Sequence, residues 1–422
     1  MYYDRPPRRR SSPRRMLVLL LLIAAGLVVL NNQNSLRQQL LPQPTPTATR
    51  AARSYVVEAE SLTEAGNIRA AIDAYVQAVS LDPENVEVLI AMSRVMTLYG
   101  RNEEALHRAE RAAQLAPQNV KAQAALAMAQ DWYAGWLQEH GRDTEAKASY
   151  QQAITTAKAA IALDKTYPEA YAYLAETYAD LNDWPNASQS IQSAIDLNPK
   201  RVDVQRALGY VRESQGNYTG AADAYEQAIK LSPNLAYLYI ALGRNYRVIA
   251  TLRDASKYPK AVAAFNKAAT IDPSYATAFD ELGSTYYLFE DLAQAQKALE
   301  KAIALDPESW LAQFHLALTY YDRRNYEDAA PTFKTAIGLM NKAFDADHYC
   351  VTSTSRACER VADAYTKLGL AYYLMDDSLC ASDAIPAFQR ALVVRPGNAG
   401  AQDGLRYCGE ALKTSTPGPK SK

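Results

Sequence analysis

The side chains able to do chemistry are few, and their positions limit what that chemistry is. All four cysteines fall after residue 349, at Cys350, Cys358, Cys380 and Cys408. Asp345, Asp347 and His348 precede the first of them, a short run of metal-ligating types. A structural zinc site draws on two such clusters at a set separation, and no second cluster is present, so no metal is expected. The histidines, His107, His140, His315 and His348, are scattered and do not converge by spacing. Acidic neighbours such as Glu103-Glu104 read as solvated turn residues rather than as a paired acid and base. There is no G-x-G-x-x-G, no phosphate-binding loop, no nucleophile elbow and no H-E-x-x-H. Neither catalytic residues nor a cofactor are therefore expected. What remains is thiol oxidation and recognition by tyrosine and arginine, with Tyr used 29 times against 7 Phe.

The elements that position these residues are helical. Between Ala276 and Ser309, Phe279, Leu282, Gly283 and Tyr286 recur at i, i+3, i+4 and i+7, one face of a helix. Glu290 and Asp291 interrupt the pattern, a second helix presents Ala295, Leu299 and Ala302, and Pro307 stops it. Two helices with one apolar stripe each cannot bury a core alone, so neighbouring copies are required. Stepping back from Pro307 gives Pro273, Pro233, Pro199, Lys165, Pro117 and Pro83, at intervals of 34, 40, 34, 34, 48 and 34 residues. Small residues recur at Ala71, Ala105, Ala187, Ala221, Ala261, Ala295 and Ala329, and Leu-Gly or Leu-Ala pairs recur from Leu174 to Leu368. Tyr178, Tyr246, Tyr286, Tyr320 and Tyr372 follow those pairs.

This pattern resembles the tetratricopeptide repeat (TPR). The resemblance implies an all-α fold, a right-handed α-solenoid of stacked antiparallel helix pairs. Nine repeats are expected over residues 52–396, with an extended third repeat at 120–167 and an insertion at 340–357. A cap helix is expected at 397–412 and a polar tail at 413–422. The third repeat carries extra residues on both sides of its turn at Gly141, and Trp132, Tyr133 and Trp136 lie near the extension.

Charge places the rest. The net charge of −1 excludes a general affinity for nucleic acid. Residues 1–15 nevertheless form a basic tail, directly before the uncharged apolar run Met16–Leu30. That run reads as a transmembrane signal anchor, or as a signal segment that is cleaved; at about 1.5 Å per residue it spans about 22 Å. Arginines on its leading side predict a cytoplasmic N-terminus and an extracytoplasmic repeat domain in the cell membrane. Residues 31–51 are a linker rich in Pro and Thr. Export exposes the cysteines to oxidising conditions, and Cys350–Cys358 with Cys380–Cys408 is the pairing expected.

In tetratricopeptide arrays the first helix of each pair lines a concave groove with its second, fifth, ninth and twelfth residues. The resemblance therefore implies a groove formed by Arg206, Tyr210, Tyr237, Arg244, Arg247, Asp280, Tyr287, Phe314, Tyr321 and Tyr373. Tyr287, Tyr321 and Tyr373 each follow a core tyrosine by one residue, a rotation of about 100° away from the core stripe. They either face the groove or pack on neighbouring first helices. The family's clamp for chaperone C-termini needs Lys and Asn in three successive repeats, and no such triplet is present. The expectation is a scaffold whose partners are extended, mildly acidic peptide segments of other proteins, with an envelope glycan as the alternative ligand.

Overall fold

The computed structural model describes residues 13–31, 51–350 and 356–415. Most of the basic tail, the linker and the polar C-terminal tail lie outside the described residues, as do the side chains of Asp347 and His348. The chain divides into two compact units, Met1–Ala51 and Ala52–Lys422.

In the first unit one helix runs Pro13–Asn31, 19 residues of which Met16–Leu30 are apolar. Its described large apolar side chains, from Met16 to Val28, are all more than half exposed. Among the described residues no helix is long and apolar enough to cross a membrane.

The second unit is built of helix pairs. Repeat one is Ala52–Ala65 with Ile68–Leu81, and repeat two is Val86–Leu98 with Asn102–Leu115. Repeat three is Val120–Glu139 with Asp143–Leu163, repeat four Pro168–Asp180 with Trp184–Leu197, and repeat five Val202–Ser214 with Tyr218–Leu231. Repeat six is Ala236–Leu252 with Tyr258–Ile271, repeat seven Ala276–Leu288 with Leu292–Leu305, and repeat eight Trp310–Asp322 with Tyr326–Phe344. Repeat nine is Arg356–Met375 with Ala384–Val394, followed by the helix Ala399–Ser415.

Local chemistry explains the pairs. Asn85, Asn119, Asp183, Asn217, Asp291, Ser309 and Asn325 accept hydrogen bonds from amides in the first turn of the helix each one opens. The alanines of the small-residue series, from Ala71 to Ala329, are fully buried. At Gly243 a Cβ would stand 2.6 Å from Phe265 of the second helix, so glycine permits the close packing that Leu-Gly marks.

Two irregular regions meet each other. The helices of repeat three are 20 and 21 residues long, against 13 and 14 in repeat four. Their turn does not stand free: Tyr349 packs on Gly141, and its hydroxyl donates to Asp143 Oδ2 at 3.2 Å. The expected insertion is partly helical, since the second helix of repeat eight continues to Phe344 and a short helix follows at Ala346–Tyr349. Disulfides join Cys350 to Cys358 and Cys380 to Cys408, the pairing expected. The second ties the turn of repeat nine to the last helix. A loop of its 28-residue separation corresponds to about 3.5 kcal/mol of chain-entropy stabilisation.

The solenoid winds tightly enough that early repeats touch later ones. Asn234 Nδ2, at the start of repeat six, donates to the carbonyl of Glu64 in repeat one at 3.0 Å. Tyr99 of repeat two packs edge-on against Tyr237 at 5.9 Å and tilted against Tyr275 at 5.1 Å. Arg94 of repeat two pairs with Asp203 of repeat five at 2.5 Å. Each contact spans more than one hundred residues and closes the inner face of the superhelix on itself.

Between the helices of repeats one to five, seven and eight the chain passes through a left-handed residue. Glycine fills it at Gly66, Gly100, Gly141 and Gly216, whereas Asn182, Glu290 and Arg324 occupy it with φ of 59°, 66° and 60°. The next amide bonds back into the helix, as Asp291 N does to Tyr286 O at 2.9 Å. An L side chain costs about 1–2 kcal/mol there. Glu290→Gly and Arg324→Gly should each raise stability by about 1 kcal/mol, after glycine's entropy is set against the relieved strain, measured as a higher denaturant midpoint with unchanged slope.

Candidate functional site

Beside the contacts between early and late repeats lies a cavity of about 510 Å³, open to solvent and lined by residues of repeats two to seven. First helices build its walls. Repeat three contributes Asp131 and Trp132, repeat four Glu176 and Asp180, repeat five Arg206, Tyr210 and Glu213, and repeat six Tyr237 and Arg244. Asp131 and Glu213 stand at the twelfth position of their helices, Glu176 and Tyr210 at the ninth, and Arg206 at the fifth. The inward-facing register therefore holds in repeats three and four, where only residues of later repeats were expected to form the site.

The charges are paired unevenly. Arg206 makes a two-pronged contact with Glu176, at 2.7 and 2.9 Å, with both side chains buried. Its guanidinium also lies 5.7 Å from the ring centre of Trp132. Arg244 pairs with Glu281 at 2.5 Å, and Arg247 with the same carboxylate at 2.7 Å and with Ser284 at 2.9 Å. The arginines expected to attract an acidic peptide are thus already neutralised by this chain. Asp180 accepts a hydrogen bond from Tyr210, and Glu213 accepts from Asn245 at 2.8 Å and Tyr225 at 3.2 Å. Asp131 is 3 % exposed, and its Oδ1 has no hydrogen-bond partner.

Burial shifts these acids. It drives Asp131 well above the usual carboxylate range, reinforced by Asp180 and Glu176. It lifts Asp180 to about 6, opposed by hydrogen bonds from Tyr210 and Asp131. It also lifts Glu176 to about 7, with Arg206 opposing, and raises Glu213. Glu281 behaves oppositely: burial works against it, yet Arg244 and Arg247 hold it down to about 2.

The ten groove residues do not form one open surface. Arg206, Tyr210, Tyr237 and Arg244 converge on the cavity. Phe314 is a core side chain against Phe333 at 6.3 Å, because the second helix of repeat eight covers it. Asp280 is buried and bonded to His315 at 2.9 Å. Tyr287, Tyr321 and Tyr373 form no free ladder; each is half-buried against its neighbours. The Tyr287 hydroxyl donates to Asp322 at 2.6 Å, Lys367 lies 4.3 Å above the Tyr321 ring, and Tyr373 stacks on Tyr407 at 6.0 Å. Of the extension's aromatics, Trp132 and Trp136 line the cavity, and Trp136 also stacks on Tyr133 and His140. Among the described residues no three His, Cys, Asp or Glu side chains converge as a metal site, and Cys350 is held in its disulfide.

A carboxylate whose folded pKa lies above its unfolded value near 4 keeps a proton that the unfolded chain has lost. Its contribution to stability is complete below pH 4 and lost as pH rises through the folded value. The thermal midpoint should therefore fall between about pH 4.5 and 7.5, and Asp131→Asn with Asp180→Asn should flatten that slope. Glu281, held low, acts below this window and in the opposite sense.

Comparison with known proteins agrees with this geometry. Residues 62–130, 174–236 and 281–347 match tetratricopeptide-repeat families. Superkiller protein 3 of Schizosaccharomyces pombe is 24 % identical over 211 residues, half of this chain and 14 % of that protein. The BBSome complex member BBS4 homolog of Drosophila melanogaster is 23 % identical over 82 % of this chain and 65 % of its own length. The chain thus spans less than two thirds of either relative. The crystal structure of the human IFIT1 dimer with PPP-AAAA superposes with a TM-score of 0.57 at 15 % identity, covering 87 % of this chain and 84 % of that one. Its likeness is one of fold. Helix pairs, caps, turn residues and matched segments agree: the chain carries tetratricopeptide repeats.

Proposed function

We propose that this protein is a membrane-anchored scaffold whose repeats lie outside the cytoplasm and dock peptide segments of other proteins. Tetratricopeptide repeats generally mediate protein–protein interaction, and the similarity to a protein named as a member of a complex supports an assembly role. The observation that carries the anchor is the helix Pro13–Asn31, apolar on every side and exposed along its length, with arginines at one end only. A helix without a polar face is stable in a packed core or a bilayer, and among the described residues of its unit this one has no packing partner. Its short apolar span is met by local thinning of the bilayer. The two disulfides support an oxidising compartment.

Partner peptides are proposed to dock on the inner face of repeats seven to nine, where Tyr287, Tyr321 and Tyr373 are half-buried and Lys367 lies over the Tyr321 ring. Tyrosine offers rigid apolar area with a hydroxyl and is enriched in binding hot spots. Nucleic acid is not proposed as a partner: although IFIT1 is crystallised with PPP-AAAA, the cavity of this chain is lined by carboxylates, which repel phosphate.

A reporter fused after Lys422 should behave as exported, and replacing Arg8, Arg9, Arg10, Arg14 and Arg15 with neutral residues should weaken that orientation. A reporter active in the cytoplasm would overturn the proposed topology. Unreduced protein should contain no reactive thiol in the same experiment, whereas four free thiols would remove the compartment argument.

A further inference from the structure

The cavity within repeats two to seven is lined by more acids than the chain itself neutralises. Arg206 and Arg244 are committed to Glu176 and Glu281. Among the described residues, no lysine or arginine forms an ion pair with Asp131, Glu139, Asp180 or Glu213. Asp180 and Glu213 receive only neutral donors, from Tyr210, Asn245 and Tyr225. Asp131 is almost wholly buried at the wall and leaves one carboxylate oxygen without any partner. Such an atom carries a desolvation cost that a bound donor would relieve.

The walls also select for shape and chemistry. A volume of about 510 Å³ suits a small organic molecule. Trp132, Trp136, Tyr99 and Tyr275 supply aromatic surface, and Trp132 already carries the guanidinium of Arg206 on its ring. Carboxylates combined with aromatic faces recognise ammonium and guanidinium groups. A bare divalent cation fits less well, because no three acidic or imidazole ligands converge among the described residues.

We propose that this cavity is a binding site for a small organic cation, an aliphatic polyamine or guanidinium compound, held by Asp131, Asp180 and Glu213 on the first helices of repeats three, four and five. The site is separate from the inner face of repeats seven to nine and does not depend on peptide docking there. Binding at the contact between early and late repeats would stabilise the closed winding, because a ligand that binds only the closed form favours it by mass action.

The test is isothermal titration calorimetry on the full-length protein in detergent, with spermidine as probe and 1,4-butanediol and glutarate as neutral and anionic controls. Saturable binding of one spermidine per chain is expected, with no heat from either control. Asp131→Asn with Asp180→Asn should weaken that binding at least tenfold while leaving the far-ultraviolet dichroism unchanged. Should the double variant fail to fold, Glu213→Gln on the first helix of repeat five decides instead, with the same expected direction. Spermidine binding should also raise the thermal midpoint of the wild type and not that of the variant. No saturable binding, equal binding of butanediol, or undiminished binding by the folded variants would overturn the proposal.

Discussion

A buried charge must find a partner or give up its charge, and this constraint governs the inside of the superhelix. Packing of the first helices of repeats four and five takes Asp203, Arg206 and Glu176 out of water, and winding brings the partly exposed Arg94 of repeat two onto Asp203. Removing one member of such a pair leaves the other uncompensated, at a cost of about 3–5 kcal/mol. The closed winding and the polar network therefore depend on each other: the turns bring the charges together, and the pairs make that approach tolerable. Asp203 shows the balance directly, since burial pushes its pKa up while Arg94 and Arg206 pull it below the usual range.

The same constraint separates two kinds of acid. Glu281 touches two guanidiniums and stays ionised. Asp131 and Asp180 touch each other and neutral donors, so burial holds them toward the protonated form. Like charges at close range cannot both ionise in a low dielectric, which is why the pair is a candidate to receive a cation rather than to supply structure. Apolar packing sets the frame around them: buried alanines bring helix pairs close, and Tyr99, Tyr237 and Tyr275 fill the contact between early and late repeats.

The helices were legible from sequence because their signals are local. Alanine spacing, the Leu-Gly pairs, capping residues and turn glycines each report on contacts within one or two repeats. The disulfide pairing was legible for the same reason, since both bridges close short loops near the last repeat. The winding was not. Glu64 and Asn234, or Arg94 and Asp203, are brought together by the accumulated rotation of several repeats, and no local pattern encodes that sum. The site depends on the same winding: Arg206, Tyr210, Tyr237 and Arg244 line the cavity together with acids of repeats three and four. Applying the inward-facing positions to repeats three and four would have added Asp131 and Glu176, and with them the acidic lining. Arg244 and Arg247 gave no sign that Glu281, one repeat later, would absorb their charge.

Closure of the superhelix is the claim on which the cavity rests, and one distance tests it. Spin labels placed at Glu64→Cys and Pro233→Cys in the full-length protein lie on opposite sides of the contact made by Asn234. Closed winding predicts a single narrow distribution at the short limit of double electron–electron resonance. A long or broad distribution, as an open solenoid would give, would contradict it.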